Sequence, residues 1–322
     1  MTLSVGDPRL DAVAFGALGP AAIGFTATLA AYLIVRASAR KADPSSAPSR
    51  AGIGPALGVG LAFVLASLGL DGVPERMPVG SADWVLPVMA TALLAAVGGE
   101  LLAKGRKAIA VRWLLRVAVI GVIVAGPLSL PIKNRWEGGE TVAWVGGIAL
   151  WMLLAFAASD RTASRSSPPS SVLVWHALIG GLVPVIFGAG VTAQSQIAGG
   201  VAAGLGGVLV AAWLGRKALP PMRAVGGVVV PYIAMLLLVS WQFVSDLAWW
   251  EFGVIAATPL AIALIDLVPV VRKLSAFKRF VGRMLLVIAA TAAVSGHHVP
   301  ALVGELTGSS SSSEDAYWES LG

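Results

Sequence analysis

Residues 224 to 245, "AVGGVVVPYIAMLLLVSWQFVS", run for more than twenty positions without one charged side chain. A helix of that length rises about 33 Å at 1.5 Å per residue, enough to cross a hydrocarbon core of about 30 Å. Runs of this kind recur through the whole chain. Only 12% of the 322 residues are charged and 57% are hydrophobic, whereas soluble domains carry about 25% charge. A water-soluble fold has no place to bury so much apolar surface. The expected class is all-α: a polytopic protein whose first partner is the lipid bilayer, with helices because only they satisfy the backbone within one segment in lipid.

Composition also excludes chemistry. The chain has no cysteine, so disulfides, thiolate nucleophiles and Cys-ligated metals are ruled out. The formal charge of +6 is scattered through short connections, a pattern that speaks against nucleic acid. Asp7, Arg9 and Asp11 ahead of the first apolar run do not make the basic n-region of a cleaved signal, and that run is read as mature structure. No Walker-type glycine loop and no HExxH occurs, and the connections are too short for a soluble domain. No cofactor is expected, and the protein is read as not an enzyme. A lipid-directed intramembrane enzyme is the weakest alternative.

Ten spans are expected, at 12–35, 51–70, 84–103, 108–130, 141–158, 171–191, 196–215, 224–245, 252–271 and 284–305. Apart from Arg9, Arg76, Lys133 and Arg135, every Lys and Arg falls in or beside the connections after the odd-numbered spans. Basic residues are retained on the cytoplasmic side, which predicts a multi-pass protein of a bacterial-type inner membrane with both termini outside. Trp84, Trp136, Trp249 and Trp250 then flank outer ends and Trp175 and Trp213 inner ones, as interface anchors do.

A proline interrupts the first span in "GALGPAAIG" and the sixth in "GGLVPVIFG", with Gly16, Pro20 and Gly24 answered by Gly180, Pro184 and Gly188. Half of the positions in 54–69 are identical to those in 200–215, and prolines of later spans align at nearly the same offset. These matches predict two five-helix units, 1–160 and 161–306, related by an inverted-topology repeat, followed by a Ser-rich acidic tail over 307–322. In such repeats paired broken helices flank a binding site. Pro20, Gly24, Pro184 and Gly188 are therefore candidate binding residues, with simple packing kinks as the alternative. The glycines of the second and seventh spans are read as small-xxx-small contacts between helices.

Ionisable residues inside spans cost about 2.5–3.5 kcal/mol at the bilayer centre, which makes them functional candidates. Glu100 and Arg112 flank a tight turn and are expected to pair. Arg116, His176 and Asp266 lie at similar depth near inner ends and are predicted to converge on one cavity suited to proton coupling. The alternative is that Asp266 bonds an arginine or snorkels to the near interface. His297 and His298 are consecutive and point about 100° apart on a helix, a poor arrangement for a metal, and no metal site is expected. Tyr317 and Trp318 in the tail could dock a protein partner. The resulting functional expectation is secondary transport of a small solute, with a structural subunit of a membrane complex as its rival.

Overall fold

The computed structural model describes residues 13–39, 52–70, 82–102, 107–189, 192–215, 222–243 and 247–307, together with Gly72 and Pro78. Every regular element among them is helical. A π-helical turn, Ala14–Leu18, leads into α1 (Gly19–Ala39), followed by α2 (Ile53–Leu70), α3 (Val85–Leu102), α4 (Ala108–Ala125) and the short α5 (Ser129–Asn134). Then come α6 (Gly138–Arg165), α7 (Pro168–Gly188), α8 (Thr192–Leu214), α9 (Arg223–Phe243), α10 (Trp249–Ile265), a single turn α11 (Pro269–Arg272) and α12 (Ala276–Thr307). Among the described residues eight helical segments, α1 with the preceding turn (Ala14–Ile34), α2 to α4 and α6 to α9, are long and apolar enough to cross a membrane. The chain is a multi-pass membrane protein.

Span limits read from apolar runs differ from the helices where charge or proline intervenes. The fifth run was expected to end at 158, but α6 stays helical through Asp160, Arg161 and Arg165. An apolar-run reading stops at the first charge, whereas a helix continues where that charge finds a partner. The fourth run ends early, at Ala125, because Gly126 and Pro127 turn the chain into α5. The ninth is the 17-residue α10, which stops at Ile265 ahead of Pro269.

The two proline breaks are built differently. Pro20 is the second residue of α1 and has no N–H, and its ring would strike the Gly16 carbonyl in a regular helix. The chain widens there into the π turn, in which the Gly19 N–H reaches back to the Ala14 carbonyl. Pro184 instead sits inside a continuous α7 and leaves the Gly180 carbonyl without its usual helical donor.

The densest packing joins α1, α2 and α8. A side chain at Gly24 would run into the Gly204 carbonyl, and one at Gly207 into the Ala21 carbonyl. At Gly58 it would meet the Gly24 carbonyl at 2.9 Å. Glycine is required at these points because helix backbones touch directly, the expected small-residue contact. The most buried span is α9, which packs on α2, α3 and α6, with Tyr232 edge-on to Phe63 of α2 at 5.7 Å between centroids.

Neighbour relations keep one feature of the expected repeat. Each half opens with an intimate pair, α1 on α2 and α7 on α8. Beyond that the halves differ: α1 packs extensively on α8, while the α2–α7 contact that a two-fold would demand is absent from the substantial helix contacts of the described residues. A boundary at 160 also falls within α6. The tail beyond Thr307, with Tyr317 and Trp318, lies outside the described residues.

Candidate functional site

One end of the bundle gathers the C-terminal ends of α3 and α6 and the starts of α4 and α9. There the close of α3, "GGE", brings Glu100 beside Arg112, one Nη of which lies 3.4 Å from each carboxylate oxygen. Gly99 permits this, since a side chain on it would press on the Arg112 stem. This pair was expected from the sequence. One turn further along α4, Arg116 faces the extended end of α6 and clasps Asp160 with two parallel bonds of 2.7 and 2.8 Å. Such a fork is among the stronger hydrogen-bonded pairings. Its guanidinium also lies over the Trp113 and Phe156 rings at 4.9 and 5.0 Å, adding cation–π attraction.

Beside these pairs lies a cavity of about 360 Å³ lined by Arg112, Asp160, Arg161, Arg165 and Arg223, with Ile109, Trp113 and Ser164 completing its wall. Arg112 and Arg223 also line a crevice of about 20 Å³ with Glu100 and Arg116. Five arginines thus surround two carboxylates. The Nε and one Nη of Arg161, and the Nε of Arg112 and of Arg223, are buried without a hydrogen-bond partner among the described residues. A buried cationic donor left unsatisfied is costly. Together with the lining charges, these orphan donors make the cavity a candidate ligand site.

Of the three residues expected to converge, Arg116 belongs to this site and the other two do not join it through their side chains. Asp266, fully buried, pairs with Arg283 at 2.5 Å; Arg283 also bonds Ser166, and Arg165 donates to the Asp266 carbonyl at 3.1 Å. These contacts form a latch that ties the ends of α6 and α10 to the start of α12. His176 bonds the Ala202 carbonyl at 2.8 Å through Nδ1, joining α7 to α8. The proline-break residues separate as well. Gly24 is taken up in the backbone contact with Gly204, whereas Gly188 lies against His298 of α12.

At the opposite end, His298 Nε2 is 3.2 Å from a Glu251 carboxylate oxygen, both residues buried. The other Glu251 oxygen accepts from the Ala248 N–H at 2.8 Å, closing the start of α10. The same end carries an aromatic stack: Trp144 lies 4.7 Å from Trp241, 6.0 Å from Trp136 and 6.1 Å from Trp249. With Trp151, Phe252 and aliphatic side chains of α6, α9 and α10, three of these tryptophans line an almost wholly apolar groove of about 370 Å³. Trp136 and Trp249, read from the sequence as interface anchors, stack at this end with Trp241 and Trp144, partners far away in sequence. Trp175, expected at an interface, is buried in the core.

Sequence reasoning missed Asp160, Arg161 and Arg223 as site residues. The available signal was "SDRTASR", which keeps helical spacing between Arg161 and Arg165 after the apolar run ends. The Arg116–Asp160 separation of 44 positions had no local signature. No protein-family profile, curated protein or solved structure matches the chain. Function must therefore be argued from the site itself.

Proposed function

We propose that the protein is a non-enzymatic transporter of a small solute, with the arginine cavity as its solute site on the cytoplasmic side. One observation carries the reading: buried guanidinium nitrogens of Arg112, Arg161 and Arg223 without partners beside a cavity of about 360 Å³, within the size range of small-molecule sites. A membrane protein that served packing alone would gain by replacing such donors with apolar side chains. In this reading α10 and α12 complete ten spans, and the arginine-rich end faces the cytoplasm, where basic residues are retained. An inverted two-fold is not required. Proton coupling through Asp266 forms no part of this reading, because Arg283 holds that carboxylate.

The test is counterflow in proteoliposomes with a panel of labelled small inorganic and organic solutes. Exchange of at least one solute by the native protein, lost in Arg161→Ala and Arg223→Ala, supports transport. A folded protein that exchanges none of the panel favours the second reading, a structural subunit of a membrane complex. That reading draws on the backbone-tight α1–α2–α8 seam, and it requires a stoichiometric protein partner after purification in mild detergent.

A further inference from the structure

We infer that the arginine cavity binds a phosphate group, carried either by a soluble phosphate compound or by the headgroup of an anionic lipid. The inference deepens the reading of this cavity as the solute site and depends on it for location. Charge is the first argument. Arg112, Arg116, Arg161, Arg165 and Arg223 bring five positive charges to Glu100 and Asp160, leaving an excess of three. A monocarboxylate would offset one of these, whereas a phosphate monoester brings about two negative charges at neutral pH together with three acceptor oxygens.

Geometry is the second argument. Asp160 already spends both oxygens on Arg116, and Glu100 reaches Arg112 only at 3.4 Å, so neither carboxylate satisfies Arg161 or Arg223. The unpartnered nitrogens come from three helices: Arg112 on α4, Arg161 on α6 and Arg223 on α9. Guanidinium groups carried on three helices around one cavity suit a tetrahedral group better than a planar one, and guanidinium forks match phosphate oxygens in spacing. Helix dipoles do not decide the matter. The positive starts of α4 and α9 are countered by the negative end of α6 at the same place, so the side chains set the sign. Trp113 and Ile109 in the wall leave room for an organic portion beside the phosphate.

The experiment measures binding, which separates it from transport. Inorganic phosphate is titrated into the purified full chain in neutral detergent, at constant ionic strength against chloride, and followed by calorimetry and melting temperature. In parallel, the protein in nanodiscs of phosphatidylcholine with phosphatidic acid, whose headgroup is a phosphate monoester, is released for native mass spectrometry. A soluble ligand gives saturable phosphate binding that weakens about tenfold in Arg161→Gln and in Arg223→Gln, the scale of one charge-assisted hydrogen bond. A lipid source gives no saturation with inorganic phosphate but one retained phosphatidic acid, lost in the same variants. Lys133→Gln, at the opposite end, leaves either result unchanged. Ser164→Trp, which fills the cavity without altering charge, abolishes both and guards against misfolding of the arginine variants. The inference is overturned if neither ligand binds, or if binding persists unchanged in Arg161→Gln, Arg223→Gln and Ser164→Trp. Phosphate binding without counterflow would overturn transport alone, and counterflow of a phosphate-free solute without phosphate binding would overturn this inference alone.

Discussion

Asp266 and Asp160 are both carboxylates held by an arginine, yet burial gives them different weight. Asp266 and Arg283 are almost fully removed from solvent. Asp266→Asn would leave Arg283 buried without its counter-charge, and removal of one partner from a buried pair costs about 3–5 kcal/mol. The expected outcome is poor expression or a lower melting temperature, with no selective loss of proton coupling. A well-folded variant of unchanged melting temperature would refute the latch. Asp160 keeps 28% of its side chain exposed, so Asp160→Asn should destabilise less, by about 2 kcal/mol. Adding Arg116→Gln should restore part of that loss. A double-mutant cycle measures this coupling directly, and additivity would mean that the fork contributes little. That Asp266 would meet some basic side chain was legible in the sequence. Its identity was not, because Arg283 reaches it only after α11 has turned the chain back.

Among the helices, the glycines divide into those that touch another backbone and those that touch nothing. Gly24→Ala would drive a methyl group into the Gly204 carbonyl, and Gly207→Ala would do the same at Ala21. Either change must separate α1 from α8. A loss of about 2–3 kcal/mol is expected, as for overpacking of a tight interior, readable as a lower melting temperature in detergent. Gly253 of α10 has no heavy atom within 4 Å of such a group; Gly253→Ala should be neutral or slightly stabilising. Equal effects at Gly24 and Gly253 would show the seam to be loose. Small-residue spacing made this contact legible, but not which helices shared it. The alignment of the second with the seventh span now has a direct cause: Gly54 and Gly58 of α2 and Gly200 and Gly204 of α8 all lie where a side chain would clash or crowd a neighbour. A common packing task accounts for those identities without a two-fold axis.

Taken as a whole, the molecule has two chemically distinct ends, one with the arginines and one with most of the tryptophans. In the proposed reading, from charge along the sequence, the arginine end faces the cytoplasm. Because the chain has no cysteine, single reporters test this cleanly. Cysteines at Ser46 and Gly105 should resist a membrane-impermeant maleimide applied to intact cells, and those at Ser81 and Ser310 should react; the reverse pattern would overturn the orientation and move the phosphate cavity to the outer face. Membrane class and helix content were legible because lipid imposes long apolar runs. The cavity was not, because its members come from α4, α6 and α9, and only tertiary packing brings those helix ends together. The stack of Trp136, Trp144, Trp241 and Trp249 has a further use, as an optical gauge built into the protein. Indoles this close share their electronic excitation, and the resulting circular-dichroism couplet depends steeply on separation and angle. Since the four rings ride on the α5–α6 connection, α6, α9 and α10, a rearrangement of those helices would register in the unlabelled protein as a change in that couplet.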